Sequence, residues 1–119
     1  MSENVLDKEN WKQEAASVIN DIKNHVKNVE ISNLKNTNQR VYLNITTLES
    51  ENYCVELSGQ GFRVVGKAYD LVDLTDTEYF ETPYSLLSKI SLNFYQSFGN
   101  ELMSKLQAVH HEENQENDS

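Results

Sequence analysis

Few residues of this chain are of the types that carry out chemistry, and they lie far apart in the sequence. The candidates are Cys54, an acidic segment over 70–81, and three histidines, His25, His110 and His111. Cys54 has no histidine near it in the sequence, so the spacing indicates neither a Cys-His metal site nor an activated thiolate. His110 and His111 are adjacent, and adjacent side chains on a helix point in different directions. We therefore expect neither a bound metal nor a cofactor.

The segment over 70–81 holds five acids and no basic residue. It lacks the central glycine and the closing glutamate of an EF-hand loop, so its pattern does not indicate calcium binding. We expect an exposed loop with an extended piece at Tyr79–Phe80, or alternatively a contact patch for a basic partner. No Gly-rich phosphate loop or serine nucleophile motif occurs in the sequence. These features predict a non-enzymatic protein, and an enzyme that uses Cys54 or the loop carboxylates is the alternative.

The composition restricts the class of protein further. The chain has 119 residues, enough for one domain, and 10 basic against 19 acidic residues give a net charge of −9. Such a charge disfavours nucleic acid and anionic membranes as partners. No stretch approaches the ~18 apolar residues of a membrane span. The polar start over 1–20 and the lone cysteine favour a cytoplasmic protein, with the nucleus as the open alternative.

The spacing of apolar residues changes along the chain. A helical period predicts an amphipathic helix over about 10–29, carried by Trp11, Ala15, Val18, Ile19, Ile22, Val26 and Val29. His25 lies on the polar side of this predicted helix. After a connector at 33–38, a period of two predicts strands at 41–46, at 53–58 and from 62 to about 69. The short turns between these strands predict an antiparallel meander of three or more strands.

Capping residues predict two further helices. Thr82 and Pro83 are typical of an N-cap and a first helical residue, and Ser91 can cap a last helix over about 92–109. We therefore predict an α+β fold with the helices on one face of the sheet. The domain is expected to span 10–109, between a flexible N-terminus at 1–9 and a disordered acidic tail at 110–119.

The last predicted helix carries the clearest functional signal. Phe98, Leu102 and Leu106 are spaced four residues apart and so lie in one row along the helix. Met103 lies outside the arc of the helix that the domain would cover. Gly99 costs the helix about 1 kcal/mol relative to alanine, which is tolerated where another group must approach closely. One interpretation places Phe94, Tyr95, Phe98, Leu102 and Leu106 in the internal core, with Met103 as an ordinary exposed residue. The other interpretation is a helix face that docks into a partner's groove.

Several blocks of the sequence resemble one known family. Residues 94–109, which read FYQSFGNELMSKLQAV, look like the C-terminal helix of the glycogen synthase kinase-3 interaction protein (GSKIP) family. The likeness covers about 13–109, with further blocks in the same order at 14–21, 53–57, 64–70 and 81–87. Residues 98–109 are also similar to the kinase-binding helix of axin. The shared pattern is an aromatic residue, then two aliphatic residues four and five positions on, then basic-Leu and Ala-aliphatic.

The resemblance implies a non-enzymatic binder and negative regulator of glycogen synthase kinase-3. Its C-terminal helix would dock in a hydrophobic groove on the C-terminal lobe of the kinase, the groove that axin also uses. Binding there would block substrates delivered by scaffolds. Carried onto this chain, the implied contacts are Leu106 as the first anchor, Phe98, Leu102, Met103 and Val109 as supporting anchors, and Lys105 as a rim charge.

Members of the family can also anchor protein kinase A through the first helix, which would bind its regulatory subunit. The residues implied here are Val18, Ile19, Ile22 and Val26. Lys23 stands where anchoring members have leucine, and burial of its ammonium group would be costly, so we favour packing of the four residues on the sheet. A related module occurs in the much larger clustered-mitochondria protein. An interaction module without kinase binding is therefore a further alternative.

Overall fold

The computed structural model describes residues 8–34, 40–75 and 77–117, and the side chains of 12–107 within them. Its helices and strands follow one another as α1 (Lys8–Ile22), a 3-10 turn (Lys23–His25), β1 (Asn28–Ile31), β2 (Arg40–Thr46), β3 (Asn52–Ser58), β4 (Gly61–Gly66), α2 (Pro83–Ile90) and α3 (Leu92–Asn117). No helix in this described part of the chain has the length and apolar character needed to cross a membrane.

The four strands form an antiparallel meander in the order β1-β2-β3-β4. In its register Leu43 faces Val55, and Leu57 faces Phe62. Alternate residues of the strands therefore share one face, and the helices pack against that face to form the main core. Its buried members are Ala15, Val18, Ile22, Val26, Val41, Leu43, Ile45, Val55, Leu57, Phe62, Leu86, Leu87 and Phe94. The predicted α+β class is confirmed.

The first helix is shorter than the sequence predicts. The helix predicted over 10–29 ends at Ile22, and Val26 already has an extended backbone with φ −136° and ψ 163°. Val29, counted as a helical position, lies in β1 opposite Ile45. Val29 and Ile31 are β-branched and fit a strand as well as a helix, so pairing with β2 decides their conformation.

The segment before α2 lies close against β4, the edge strand of the sheet. Phe62 and Phe80 exchange two backbone hydrogen bonds of 2.8 and 2.7 Å. The extended piece predicted at Tyr79–Phe80 thus forms a bridge at Phe80. Gly61, with φ +119°, makes this approach possible, because a Cβ there would lie 2.3 Å from the Phe80 carbonyl oxygen.

The second face of the sheet is covered by the segment that follows β4. A small cluster of Tyr42, Cys54 and Val65 lies there. Asp70, predicted to be part of an exposed acidic loop, is exposed and is also hydrogen-bonded to the fold. Its carboxylate accepts hydrogen bonds from the Ser32 hydroxyl, from the Asn44 amide at 2.9 Å and from a backbone N–H at 3.0 Å. These bonds, that of Ser32 foremost, lower the pKa of Asp70.

Both predicted caps of the C-terminal helices are confirmed. The Thr82 hydroxyl accepts a hydrogen bond from the backbone N–H of Ser85 at 3.1 Å, with Pro83 as the first residue of α2. The Ser91 hydroxyl accepts one from Phe94 N–H at 2.9 Å and so caps α3. α3 continues to Asn117, beyond the end predicted at 109. Most of the predicted flexible N-terminus lies outside the described residues.

Candidate protein-binding surface

The first turn of α3 is attached to the turn between β2 and β3. The Glu49 carboxylate accepts a hydrogen bond from the Ser91 hydroxyl at 2.6 Å and another from Asn93 N–H at 2.8 Å. These two bonds, that of Ser91 first, lower the pKa of Glu49. Because Phe94, in the same turn, is completely buried, the start of α3 is fixed both by polar contacts and by the core.

A second attachment of α3 involves His25, which the sequence placed on the polar side of a longer first helix. That placement is wrong, because the helix ends at Ile22 and His25 is only 4% exposed. The ring lies 2.8 Å from the Ser97 hydroxyl through Nδ1 and 3.3 Å from the Glu101 carboxylate through Nε2. It also meets the rings of Phe94 and Phe98 edge-on, at centroid distances of 5.8 and 5.6 Å.

Phe98 lies where the packed part of α3 meets its free part. Its ring stacks on Phe94 at 5.7 Å and on Tyr84 of α2 at 4.8 Å, and it is only partly buried against the core. Of the residues implied as kinase anchors, Phe98 therefore also serves the fold. Substitution of Phe98 would disturb packing between α2 and α3 as well as any partner contact.

The next two turns of α3 present a largely exposed apolar ridge, defined here as Leu102, Met103 and Leu106. The exposed fractions of these residues are 48%, 56% and 56%. Phe94 therefore belongs to the internal core, as one interpretation of the helix predicts, whereas the ridge residues do not. Lys105 lies beside the ridge, with its ammonium 3.7 Å from the Glu101 carboxylate. The side chain of Val109 lies outside the described residues.

The ridge forms one wall of an open groove of about 610 Å³ between α2 and α3. Tyr84, Ser85 and Ser88 of α2 line its other side, and Tyr95 of α3 is also part of the lining. None of the described side chains that line this groove is an acid, a histidine or a cysteine. The groove is therefore suited to apolar contact and not to acid–base chemistry.

Two groove residues were not found from the sequence. Tyr95 falls within the apolar arc of α3, which made it a core candidate, yet it is 61% exposed. Ser88 carries no signal of its own, because a groove wall needs two helices at a known angle. Gly99 faces open space: among the described atoms, none lies within 4 Å of a Cβ added there. The protein's own packing thus gives no reason for a glycine at this position.

Of the candidates for chemistry whose side chains the structure describes, none lines this groove. Cys54 is buried between the sheet and the segment after β4, and desolvation raises the pKa of its thiol to about 11. A thiol with this pKa is protonated near neutral pH and is a poor nucleophile. Within the described residues, no three His, Cys, Asp or Glu side chains come together as a metal site would require.

The residues implied in anchoring of protein kinase A occupy the main core. Val18, Ile22 and Val26 are buried there, and Ile19 is partly buried against it. Lys23 is exposed in the 3-10 turn that follows α1. Contact of these apolar side chains with another protein would require α1 to leave the sheet, and the loss of that packing would oppose binding.

Fold and surface together define a small α+β domain with one helix that is anchored at its start and apolar and exposed further on. The family described as the GSKIP domain matches residues 11–109. Over 105 residues the chain is 39% identical to the GSK3B-interacting protein of Homo sapiens, covering 87% of this chain and 76% of that protein.

Similar proteins occur in other animals as well. The chain is 38% identical over 98 residues to the GSK3-beta interaction protein of Danio rerio, covering 81% of this chain and 74% of that protein. It is 36% identical over 63 residues to the Protein GSKIP homolog of Drosophila melanogaster, covering 49% and 51%. The chain belongs to the GSKIP domain family.

Proposed function

We propose that this protein is a non-enzymatic binder of glycogen synthase kinase-3 that docks α3 into a hydrophobic groove of the kinase and restrains its activity. The single observation that carries the proposal is the exposed ridge of Leu102, Met103 and Leu106 on a helix whose first turns are fixed to the domain. The names of the relatives, which refer to interaction with this kinase, support the choice of partner.

The geometry favours a helix-in-groove contact. Leu102 and Leu106 are four residues apart and thus lie on one side of α3, and Met103 widens the apolar strip toward the groove. Methionine adapts its shape easily to a facing surface. Lys105 lies at the edge of this strip, where a charge can remain hydrated while the apolar residues are covered.

Restraint of the kinase would follow from occupation of its groove and not from any reaction. The groove between α2 and α3 holds no acid, histidine or cysteine among its described side chains, and Cys54 is buried away from it. A protein of this kind would compete with axin for the same site on the kinase. It would thereby reduce phosphorylation of substrates that axin delivers and leave free short peptides less affected.

The proposal is tested by recovery of glycogen synthase kinase-3 on immobilised full-length protein. Leu106→Pro breaks α3 within the ridge, and we expect recovery of the kinase to fall to background. Leu92→Pro is the matched control, because Leu92 is the first residue of α3 and Ser91 before it is extended, as a residue before proline prefers. We expect Leu92→Pro to recover the kinase as the wild type does.

Two results would reject this function. The kinase could fail to bind the wild type, or it could bind wild type and Leu106→Pro equally. A second measurement addresses restraint: addition of the protein to the kinase should lower phosphorylation of an axin-delivered substrate, and an excess of the axin helix should reverse the effect. If phosphorylation is unchanged at saturating protein, the protein binds the kinase but does not restrain it, and that part of the proposal is rejected.

A further inference from the structure

His25 contacts four residues of α3 that lie on one side of the helix. They are Phe94, Ser97, Phe98 and Glu101, at spacings of three, four and seven residues from the first. These spacings place all four on the same face over two turns. One imidazole ring thus holds two successive turns of α3 against the end of the first helical segment.

The polar contacts of the ring are specific in direction. A carboxylate only accepts hydrogen bonds, so in the neutral ring Nε2–H donates to Glu101 at 3.3 Å. Nδ1 then accepts from the Ser97 hydroxyl at 2.8 Å. Both ring nitrogens are paired although the residue is only 4% exposed, which is the arrangement that a buried polar side chain requires.

The ridge begins directly where these contacts end. Glu101 is the last residue that His25 touches, and Leu102 is the first ridge residue. Glu101 also pairs with Lys105 at 3.7 Å, so the polar contacts continue one turn further along α3, past Leu102 and Met103. His25 itself is absent from the lining of the groove.

We propose that His25 is a positioning residue for the docking helix: it fixes the direction in which α3 carries the ridge, without touching the partner. The proposal rests on the proposed function, in which α3 binds glycogen synthase kinase-3. A helix held in its binding direction loses less freedom on association than a helix that swings about its first turn. Loss of the clamp should therefore weaken binding while every ridge residue remains in place.

The test compares full-length variants by their dissociation constant for glycogen synthase kinase-3 and by amide hydrogen exchange in the free protein. His25→Phe keeps an aromatic ring of similar size and removes both hydrogen bonds. We expect it to weaken binding about tenfold, as loss of preorganisation in several side chains would. Exchange should become faster over 95–106 and stay unchanged in β2 and β3. His25→Gln, whose amide can donate to Glu101, should recover most of the affinity.

Ile45→Val is the control for a purely structural role. It thins the core near the end of β2 and lowers overall stability, and Ile45 neither bonds to His25 nor lines the groove. We expect it to bind the kinase as the wild type does, even where its melting temperature falls as far as that of His25→Phe. Equal loss of affinity in Ile45→Val and His25→Phe at matched stability would overturn the positioning role.

The remaining outcomes separate this proposal from the one on which it rests. A wild type that does not bind the kinase overturns both. Binding that depends on Leu106 but is the same in wild type and His25→Phe overturns the positioning role alone. So does His25→Gln binding as weakly as His25→Phe, because the hydrogen bond to Glu101 would then carry no part of the effect.

Discussion

Replacement of Leu106 by alanine should separate partner binding from stability. Leu106 is 56% exposed, so on the order of 100 Å² of it remains for a partner to cover, worth about 2.5 kcal/mol at about 25 cal/mol per Å². Alanine keeps part of that surface. We therefore expect Leu106→Ala to lose about 2 kcal/mol of binding free energy, which is about thirtyfold in Kd. Because the side chain contributes little to the core, the free energy of unfolding should stay within about 0.5 kcal/mol of the wild type.

Titration calorimetry of the full-length protein with glycogen synthase kinase-3 measures the first quantity, and urea unfolding measures the second. Leu92→Ala is the matched control: it removes the same side chain from the same helix, at a position that is 64% exposed and outside the groove lining. Its Kd should equal that of the wild type. The reasoning is refuted if Leu106→Ala binds normally, or if Leu92→Ala loses as much affinity as Leu106→Ala.

Three further predictions concern the fold that holds α3. Gly66→Ala should lower the free energy of unfolding in urea by about 2–3 kcal/mol, because its Cβ would lie 2.0 Å from the carbonyl oxygen of Leu71, in the segment after β4. Gly59→Ala is the control and should be tolerated, because a Cβ there meets open space. The hydroxyl of Ser32 and its neighbours lower the pKa of Asp70, so its carboxylate stabilises the fold above the pKa of unfolded aspartate. That contribution disappears as pH falls through the lower folded pKa, and Asp70→Asn should flatten the acid side of a plot of melting temperature against pH. Cys54, with a pKa of about 11, should react slowly with a thiol reagent at pH 8 and rapidly in urea; fast labelling of the folded protein would contradict its burial.

The elements with strong local signals were predictable from the sequence. Thr82 and Pro83, like Ser91, act through hydrogen bonds and backbone angles within one turn, so neighbouring residues alone determine them. The strands of the meander follow in the same way from alternation and short turns, and the meander extends to four strands. These signals placed α2, the start of α3 and most of the sheet.

The residues that failed prediction depend on distant partners. Val29 is compatible with both a helix and a strand, and its pairing opposite Ile45 in β2 decides between them. His25 is 72 residues from Ser97, which it contacts, so nothing beside it in the sequence indicates burial. The ridge was identified from α3 itself, because Met103 fell outside the apolar arc. The α2 side of the groove required the packing of two helices.

The division of α3 into a packed start and an exposed continuation has a consequence for how such a protein can change. Leu102, Met103 and Leu106 support little of the tertiary structure, so mutations there alter what the domain recognises at small cost to its thermodynamic stability. Mutations at Phe94 or His25, which are buried, would instead lower the stability of the domain. Recognition can thus diverge in one short stretch of chain while the scaffold stays the same, and new specificities could be engineered by redesign of those positions alone.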